Sequence, residues 1–171
     1  MSGQFVYTAF VIDAFAGRIV GWECSSSKKQ RFVQSAIRQA SDFRRRQGNP
    51  LPGGTIHHSD AGSQYTAIRF GETLQLEGLV PSIGTVADAL DNALAETTIG
   101  LYKTECIRSD SPFRTSPLTR LSDVEDITSR WVAWYNTARI MHRLGRVPPA
   151  TAEAAHYATA QTVKKTITHT N

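Results

Sequence analysis

Two acidic residues and the segments around them are the part of this sequence best suited to chemistry. Asp60 follows the segment TIHHS at 55–59, and Glu96 ends the segment DNALAE, with thirty-five residues between the two acids. Two hard divalent cations about 4 Å apart must be held by oxygen ligands, as in many phosphoryl-transfer sites. The two acids belong to different predicted elements, so the pair predicts a metal-dependent phosphoryl-transfer site.

Asp60 is expected at the C-terminal end of a short strand. Residues 55–59 begin with two β-branched residues and follow the Gly53-Gly54 turn, a pattern typical of strands. Successive strand residues point to opposite faces, so only one of His57 and His58 can face the predicted site. We interpret both as structural histidines. If one of them also supports the acids, we expect it to be His58.

Glu96 is expected on a helix. Asp91 is suited to cap this helix, and no glycine or proline interrupts the sequence before Gly100. With about 3.6 residues per turn, Asn92, Glu96 and Lys103 fall along one face. An acid and a base two turns apart are unusual on the buried face of a helix. They suit a face that binds a metal ion beside a phosphate. Asn92 then either orders metal-bound water or helps to cap the helix.

Basic residues are concentrated in two further segments. The formal net charge of +4 favours polyanionic partners but does not distinguish nucleic acid from a merely basic surface. A predicted helix over 29–46 carries Lys29, Arg31 and Arg38, and a later helix is followed by Arg139 and Arg143. We expect these cations, with Lys103, to bind DNA phosphates without sequence preference. Cations near a helix C-terminus also suit the helix dipole without any ligand.

Length and composition indicate one globular domain. The chain has 171 residues, of which 40% are apolar and 20% charged, ordinary globular values that argue against disorder or a coiled coil. Two predicted hairpin strands at 5–13 and 18–24, followed by alternating helices and strands, indicate an α/β (α+β) sheet with flanking helices. Further expectations are a loop over 84–90, a Ser122/Glu125 capping box and a last helix over 150–160.

Cysteine usage and hydropathy limit the environment of the chain. The two cysteines lack metal-site spacing, which argues against a zinc site and a disulfide framework and fits a reducing compartment. The apolar run over 5–12 is too short to span a bilayer. We therefore expect a cytoplasmic protein without a membrane partner.

The motifs around the two acids resemble those of one family. HHSDAGSQY, DNALAE and GLYKTE, together with VIDAFAGRIVGW, WYNTARIMHRLG and VPPATAE, are similar to the integrase core of bacterial insertion-sequence transposases, a class related to retroviral integrases. In that family two Mg²⁺ ions are held by three acids. The resemblance implies that Asp60 is the second acid, that Glu96 is the third, and that Lys103 matches a basic position used against DNA.

The resemblance implies a ribonuclease H-like fold with the first acid on a central strand before the hairpin. No acid precedes Asp13 in this sequence, so we expect that central strand to be missing, and Asp13 is a poor substitute at the far end of a hairpin strand. The chain alone is then expected to be inactive, and its unpaired strands to favour association with another chain.

The resemblance also implies a function and a domain division. The implied activity is Mg²⁺- or Mn²⁺-dependent cleavage and strand transfer of DNA by a homo-oligomer. A catalytically inactive DNA-binding or dimerising fragment, and a metal-dependent nuclease of the same fold, stay open as alternatives. We expect a catalytic core over 1–121 and a C-terminal helical extension of the same domain over 122–171, ending in a frayed basic tail.

Overall fold

The computed structural model describes residues 5–59, 68–82 and 88–168. Within these residues four strands, five α-helices, one π-helical segment and one short 3₁₀ turn alternate along the chain. The bounds are β1 Tyr7–Ile12, β2 Ile19–Ser25, α1 Arg31–Arg46, β3 Thr55–His58, α2 Ile68–Leu76, β4 Leu79–Ser82, α3 Asp88–Leu101, the π-segment Tyr102–Ile107, α4 Leu121–Thr137, the 3₁₀ turn His142–Leu144 and α5 Pro149–Thr168.

The β1–β2 hairpin lies between two helical layers. β1 pairs antiparallel with β2, and alternate β1 side chains enter different cores, as the strand period requires. Tyr7, Ala9 and Val11 contact a core built from α1, α2 and β4. Phe10 and Ile12 contact a second core formed by β2, the π-segment and α4. The hairpin thus separates α1 from the π-segment and α4.

Gly21 allows α1 to approach β2 closely. A Cβ atom at this position would lie 2.1 Å from the carbonyl oxygen of Ala36, in the middle of α1. Apolar residues at helical spacing, Val33, Ala36, Ile37 and Ala40, are buried along this contact. The helix is therefore held against the strand at backbone distance, which any side chain at Gly21 would prevent.

The described strands form two separate two-stranded sheets. β3 pairs with β4 in parallel, from Thr55 opposite Leu79 to His58 opposite Ser82, and β1 pairs with β2. A cavity of about 370 Å³ is lined by residues of β1, α1, β3 and α3. Strands and helices thus form the mixed α/β architecture that the sequence predicted.

A buried ion-pair network attaches α5 to the hairpin and to α1. Arg44 Nη2 lies 2.6 Å from Glu153 Oε1 and 2.9 Å from Asp13 Oδ2. Arg18 pairs with the other Glu153 oxygen. The side chains of Arg44 and Glu153 are only 3% and 5% exposed, so burial and charge pairing together fix the position of α5.

Several element boundaries differ from the prediction. The loop predicted over 84–90 is wrong from Asp88 onward, because α3 begins there. The Ser122/Glu125 capping box is also wrong: α4 begins at Leu121, and its first turn is capped by the Asp123 carboxylate, which accepts the Arg120 N–H at 2.8 Å. α5 extends to Thr168, well beyond the predicted 160. No helix in the described ranges is long and apolar enough to cross a membrane.

Candidate active site

Glu96 and Lys103 lie on an exposed face of the continuous helix formed by α3 and the π-segment. Both side chains are exposed, and Ile99 between them is 41% exposed. The opposite side is fully buried at Thr98, whose hydroxyl donates to the Leu94 carbonyl at 2.9 Å. The helix is thus fixed on its inner side, and it presents an acid and a base to solvent.

Glu96 is not engaged by any ion pair or hydrogen bond within the described part of the chain. Several other acids there are committed to structure. Glu105 and Glu153 hold arginines, and Asp123 caps α4. A solvent-facing carboxylate of this kind offers the oxygen donors that Mg²⁺ and Mn²⁺ prefer. The donor chemistry of Glu96 therefore fits a divalent metal ligand.

Asp60 lies outside the described residues, and so does the side chain of Asn92. The structure does show that β3 ends at His58, two residues before Asp60 in the sequence. Within the described residues no cluster of three or more potential metal ligands is found. The metal-binding roles of Asp60 and Glu96 and the supporting role of Asn92 therefore stay predictions.

The two histidines of β3 line the cavity between the sheets. Burial, followed by repulsion from His58, lowers the pKa of His57 from 6.5 to about 4, so His57 is neutral at physiological pH. Its ring lies 5.7 Å from that of Phe70, and its buried Nε2 has no hydrogen-bond partner among the described residues. This environment is that of a structural histidine, whereas the supporting role of His58 stays a prediction.

Asp13 is occupied by structural contacts. Its Oδ1 accepts the Ala16 N–H at 3.1 Å, which closes the hairpin turn, and its Oδ2 accepts from Arg44 Nη2 at 2.9 Å. Both carboxylate oxygens are therefore used to join the turn to α1. These contacts argue against Asp13 as a further metal ligand.

The predicted DNA-binding cations fall on different layers. Lys29, Arg31 and Arg38 are exposed on or next to α1, whereas Lys103 is exposed on the π-segment, across the hairpin. Arg44, which also belongs to α1, is buried in the ion-pair network with Glu153 of α5. Lys103 and the cations of α1 therefore lie on opposite sides of the hairpin.

The two later arginines have intramolecular partners. Arg139 forms an ion pair with Glu105, with Nη2 2.8 Å from Oε1, and its side chain is 20% exposed. Arg143 is exposed and donates from Nη1 to the Phe15 carbonyl at 3.2 Å. The geometry therefore assigns Arg139 a structural contact, while Arg143 keeps an exposed cationic group.

Sequence reasoning missed the π-segment and its anchors on α4. Tyr102 and Thr128 share a hydrogen bond of 2.7 Å between their hydroxyls, and burial raises the pKa of Tyr102 to about 12. The Cys106 thiol contacts the Ile127 carbonyl at 3.4 Å. Residues 91–107 contain no proline and a single glycine, Gly100. This composition is typical of an ordinary α-helix that ends in this region. No local signal marked the wide turn.

The chain matches family models over most of its length. One model described as an integrase core domain matches residues 1–95, and a second of the same description matches residues 77–149. The chain therefore belongs to the integrase core domain family.

Curated relatives agree with this assignment. A putative transposase for insertion sequence element IS986/IS6110 from Mycobacterium tuberculosis is 48% identical over 157 residues, which are 92% of this chain and 55% of that protein. A transposase for insertion sequence element IS629 from Shigella sonnei is 47% identical over 90% of this chain and 48% of that protein. The chain spans about half the length of the curated relatives it matches.

Solved structures of retroviral integrase cores share the fold. The catalytic core domain of BIV integrase aligns with a TM-score of 0.63 at 14% identity, covering 91% of this chain and 89% of that one. The HTLV-2 integrase catalytic core domain, solved in complex with magnesium, aligns with a TM-score of 0.56 at 18% identity, covering 84% and 88%. The ribonuclease H-like fold class predicted from the sequence is confirmed.

Proposed function

We propose that this chain is the DNA-processing core of a transposase, which cleaves and joins phosphodiester bonds during DNA transposition. The observation that carries the proposal is the exposed face of α3 and the π-segment, where Glu96 and Lys103 stand within a chain of the integrase core family. The similar transposases of Mycobacterium tuberculosis and Shigella sonnei support the same function.

Asp60 and Glu96 are the proposed ligands of Mg²⁺ or Mn²⁺. The magnesium complex of the HTLV-2 core domain supports this choice of ion, and the solvent-facing Glu96 carboxylate fits it chemically. When bound, such an ion polarises a phosphoryl oxygen and lowers the pKa of an attacking water or hydroxyl. Glu96 has no ion pair or hydrogen bond within the described part of the chain, so its carboxylate is available to a metal ion.

Lys103 is the proposed phosphate contact beside Glu96. Lys103 is exposed about two turns beyond Glu96 along the same continuous helix, so one DNA strand that runs along this helix can contact both. Lys29, Arg31, Arg38 and Arg143 add positive potential on other layers and contribute non-specific attraction. We leave Arg139 out of the interface because Glu105 already neutralises it.

The gap between β1 and β3 is the proposed position of a further strand that carries a third acid. Both strands pair on one side only among the described residues, and the cavity between them is lined mainly by apolar side chains. Asp13 is a poor source of this acid, since both its oxygens already accept hydrogen bonds that join the hairpin turn to α1. The chain alone is expected to bind DNA and to join it only when this gap is filled.

The test uses fluorescent duplex DNA with Mg²⁺ or Mn²⁺. The chain is assayed alone and after co-expression with the part of the Mycobacterium tuberculosis relative that lies outside the matched region. We expect cleavage and joining only in the second case. Glu96→Gln should abolish both, whereas Glu72→Gln, an exposed acid on α2, should leave them unchanged.

The outcomes separate the alternative functions. Cleavage without joining of 3′-hydroxyl ends would identify a nuclease. DNA binding without turnover in any combination would identify an inactive DNA-binding fragment. Sedimentation of the same samples would show whether the active form is a homo-oligomer, as we propose for a cytoplasmic DNA-joining enzyme. Turnover that survives Glu96→Gln would refute the role of Glu96.

A further inference from the structure

The segment that carries Lys103 is a π-helix rather than a continuation of α3. The Arg108 N–H donates to the Lys103 carbonyl, five residues back, at 3.0 Å, and the wide turn spans Tyr102–Ile107. π-turns are rare and occur mainly as single turns within α-helices, often at functional sites. The backbone direction at Lys103 therefore depends on this turn.

A π-turn persists only where tertiary contacts favour it over an α-turn. Here the inner side of the turn is anchored on α4 by Tyr102 and Cys106, which contact Thr128 and Ile127. These contacts are made by a hydroxyl and a thiol, each a weak anchor compared with a charged group.

The strongest anchor is Glu105. Its Oε1 accepts from Arg139 Nε at 2.9 Å, and its Oε2 accepts from the Trp131 indole N–H at 3.1 Å. Arg139 Nη2 lies 2.8 Å from Oε1, which completes a fork of charge-assisted bonds of the stronger kind. The Glu105 side chain is 24% exposed, and Trp131 is fully buried. Glu105 thus joins the turn to Trp131 on α4 and to Arg139, two residues beyond the end of α4.

We propose that Glu105 is a positioning residue, which with Arg139 and Trp131 forms a clamp that holds the π-turn and thereby directs Lys103 toward the phosphate beside Glu96. The inference rests on the proposed DNA contact of Lys103. Without the clamp the turn relaxes toward α-helical spacing, Lys103 rotates, and its phosphate contact is lost. The same clamp explains why Arg139, although cationic, serves the fold.

The test is a double-mutant cycle on the full chain. Wild type, Lys103→Ala, Glu105→Gln and the double variant are titrated with a short duplex at several salt concentrations without metal. Each lost phosphate contact reduces the slope of log affinity against log salt by about one unit. We expect Lys103→Ala and Glu105→Gln each to lose about one unit, and the double variant to lose no more than either.

Two further variants keep the test decisive. Asp126→Asn removes the exposed acid that pairs with Arg130 on α4 and should leave the slope unchanged. Arg139→Gln breaks the clamp from its other side, so it should reproduce Glu105→Gln and also show no additional loss with Lys103→Ala. It replaces Glu105→Gln if that variant does not fold.

Distinct outcomes overturn distinct claims. If Lys103→Ala leaves the slope unchanged, the proposed phosphate contact fails, and the clamp fails with it. If Lys103→Ala reduces the slope but the losses of Lys103 and Glu105 add, only the clamp is refuted. Tighter DNA binding by Glu105→Gln would also refute it, because it would show that Arg139 itself contacts DNA once released.

Discussion

Replacing Glu153 by glutamine should destabilise the protein far more than a surface substitution of the same kind. The change keeps the side-chain volume but removes the charge that Arg44 and Arg18 share, in a site where the Arg44 and Glu153 side chains are 3% and 5% exposed. After the substitution the one acidic partner that Arg44 keeps among the described residues is Asp13, 2.9 Å away, beside a hydrogen bond to Gln47 Oε1 at 3.4 Å. Arg18 keeps only its position over the Phe43 ring, 4.7 Å from the ring centroid.

The magnitude follows from the burial. Removing one partner of a buried ion pair costs about 3–5 kcal/mol, and we expect about 3 kcal/mol here because the glutamine amide still offers an acceptor. For a domain of this length about 1 kcal/mol corresponds to about 2–4 °C, so Tm should fall by about 6–12 °C. The exposed Arg130–Asp126 pair, at 2.9 Å, is the matched control, and Asp126→Asn should cost no more than about 0.5 kcal/mol.

The pH dependence supplies an independent check. Burial by itself raises the pKa of the Glu153 carboxyl, but Arg44 and Arg18 outweigh it, so the pKa lies below its ordinary value of 4.5. A lowered folded-state pKa stabilises the protein fully above 4.5, and this stabilisation is lost as pH falls through the folded-state pKa. The difference in Tm between wild type and Glu153→Gln should therefore be largest at neutral pH and shrink in acid.

Circular dichroism melts and urea titrations of wild type, Glu153→Gln and Asp126→Asn over this pH range would measure both effects. A loss for Glu153→Gln no larger than that of Asp126→Asn would show that the network contributes nothing to stability. A difference that stays constant into strong acid would show that the carboxylate charge is not the cause.

Three other perturbations have clear expected outcomes. Gly21→Ala should destabilise the protein by more than about 2 kcal/mol in urea titrations, because its Cβ would lie 2.1 Å from an α1 carbonyl oxygen, while Gly100→Ala, with open space around it, should gain about 0.5–1 kcal/mol. Calorimetry should show weak Mg²⁺ binding that Asp60→Asn or Glu96→Gln abolishes; tight binding by two ions would contradict the need for a third acid. The lowered pKa of His57, about 4 against 6.5, should make stability decline as pH falls from 6.5 toward 4, and replacement by Asn should flatten that decline.

The elements near the predicted site could be predicted from the sequence because the patterns that indicate them are local. The β-branched run before Asp60 indicated β3, and it forms at Thr55–His58. The uninterrupted segment around Glu96 indicated a helix, and the exposed positions of Glu96 and Lys103 follow from helical spacing. The family resemblance then indicated the fold that the comparisons confirm.

The partners of charged side chains could not be predicted in the same way. Arg139 and Arg38 look alike in the sequence as exposed cations, yet Arg139 meets Glu105 thirty-four residues earlier in the chain, and Arg38 stays exposed. Arg44 likewise meets Asp13 and Glu153 across long separations. Composition and periodicity contain no information about such contacts.

The sequence by itself determined the motifs that place the chain in its family, and it predicted the chemistry of the site, since recognising the types and spacing of Asp60, Glu96 and Lys103 requires only local order. Tertiary structure alone decided which charges remain available to a ligand and where the helix widens into a π-turn. The reason is physical. A charge is neutralised, and a strained turn is held, by groups that folding brings together from distant parts of the chain, and the energy of those contacts depends on burial that no local pattern specifies.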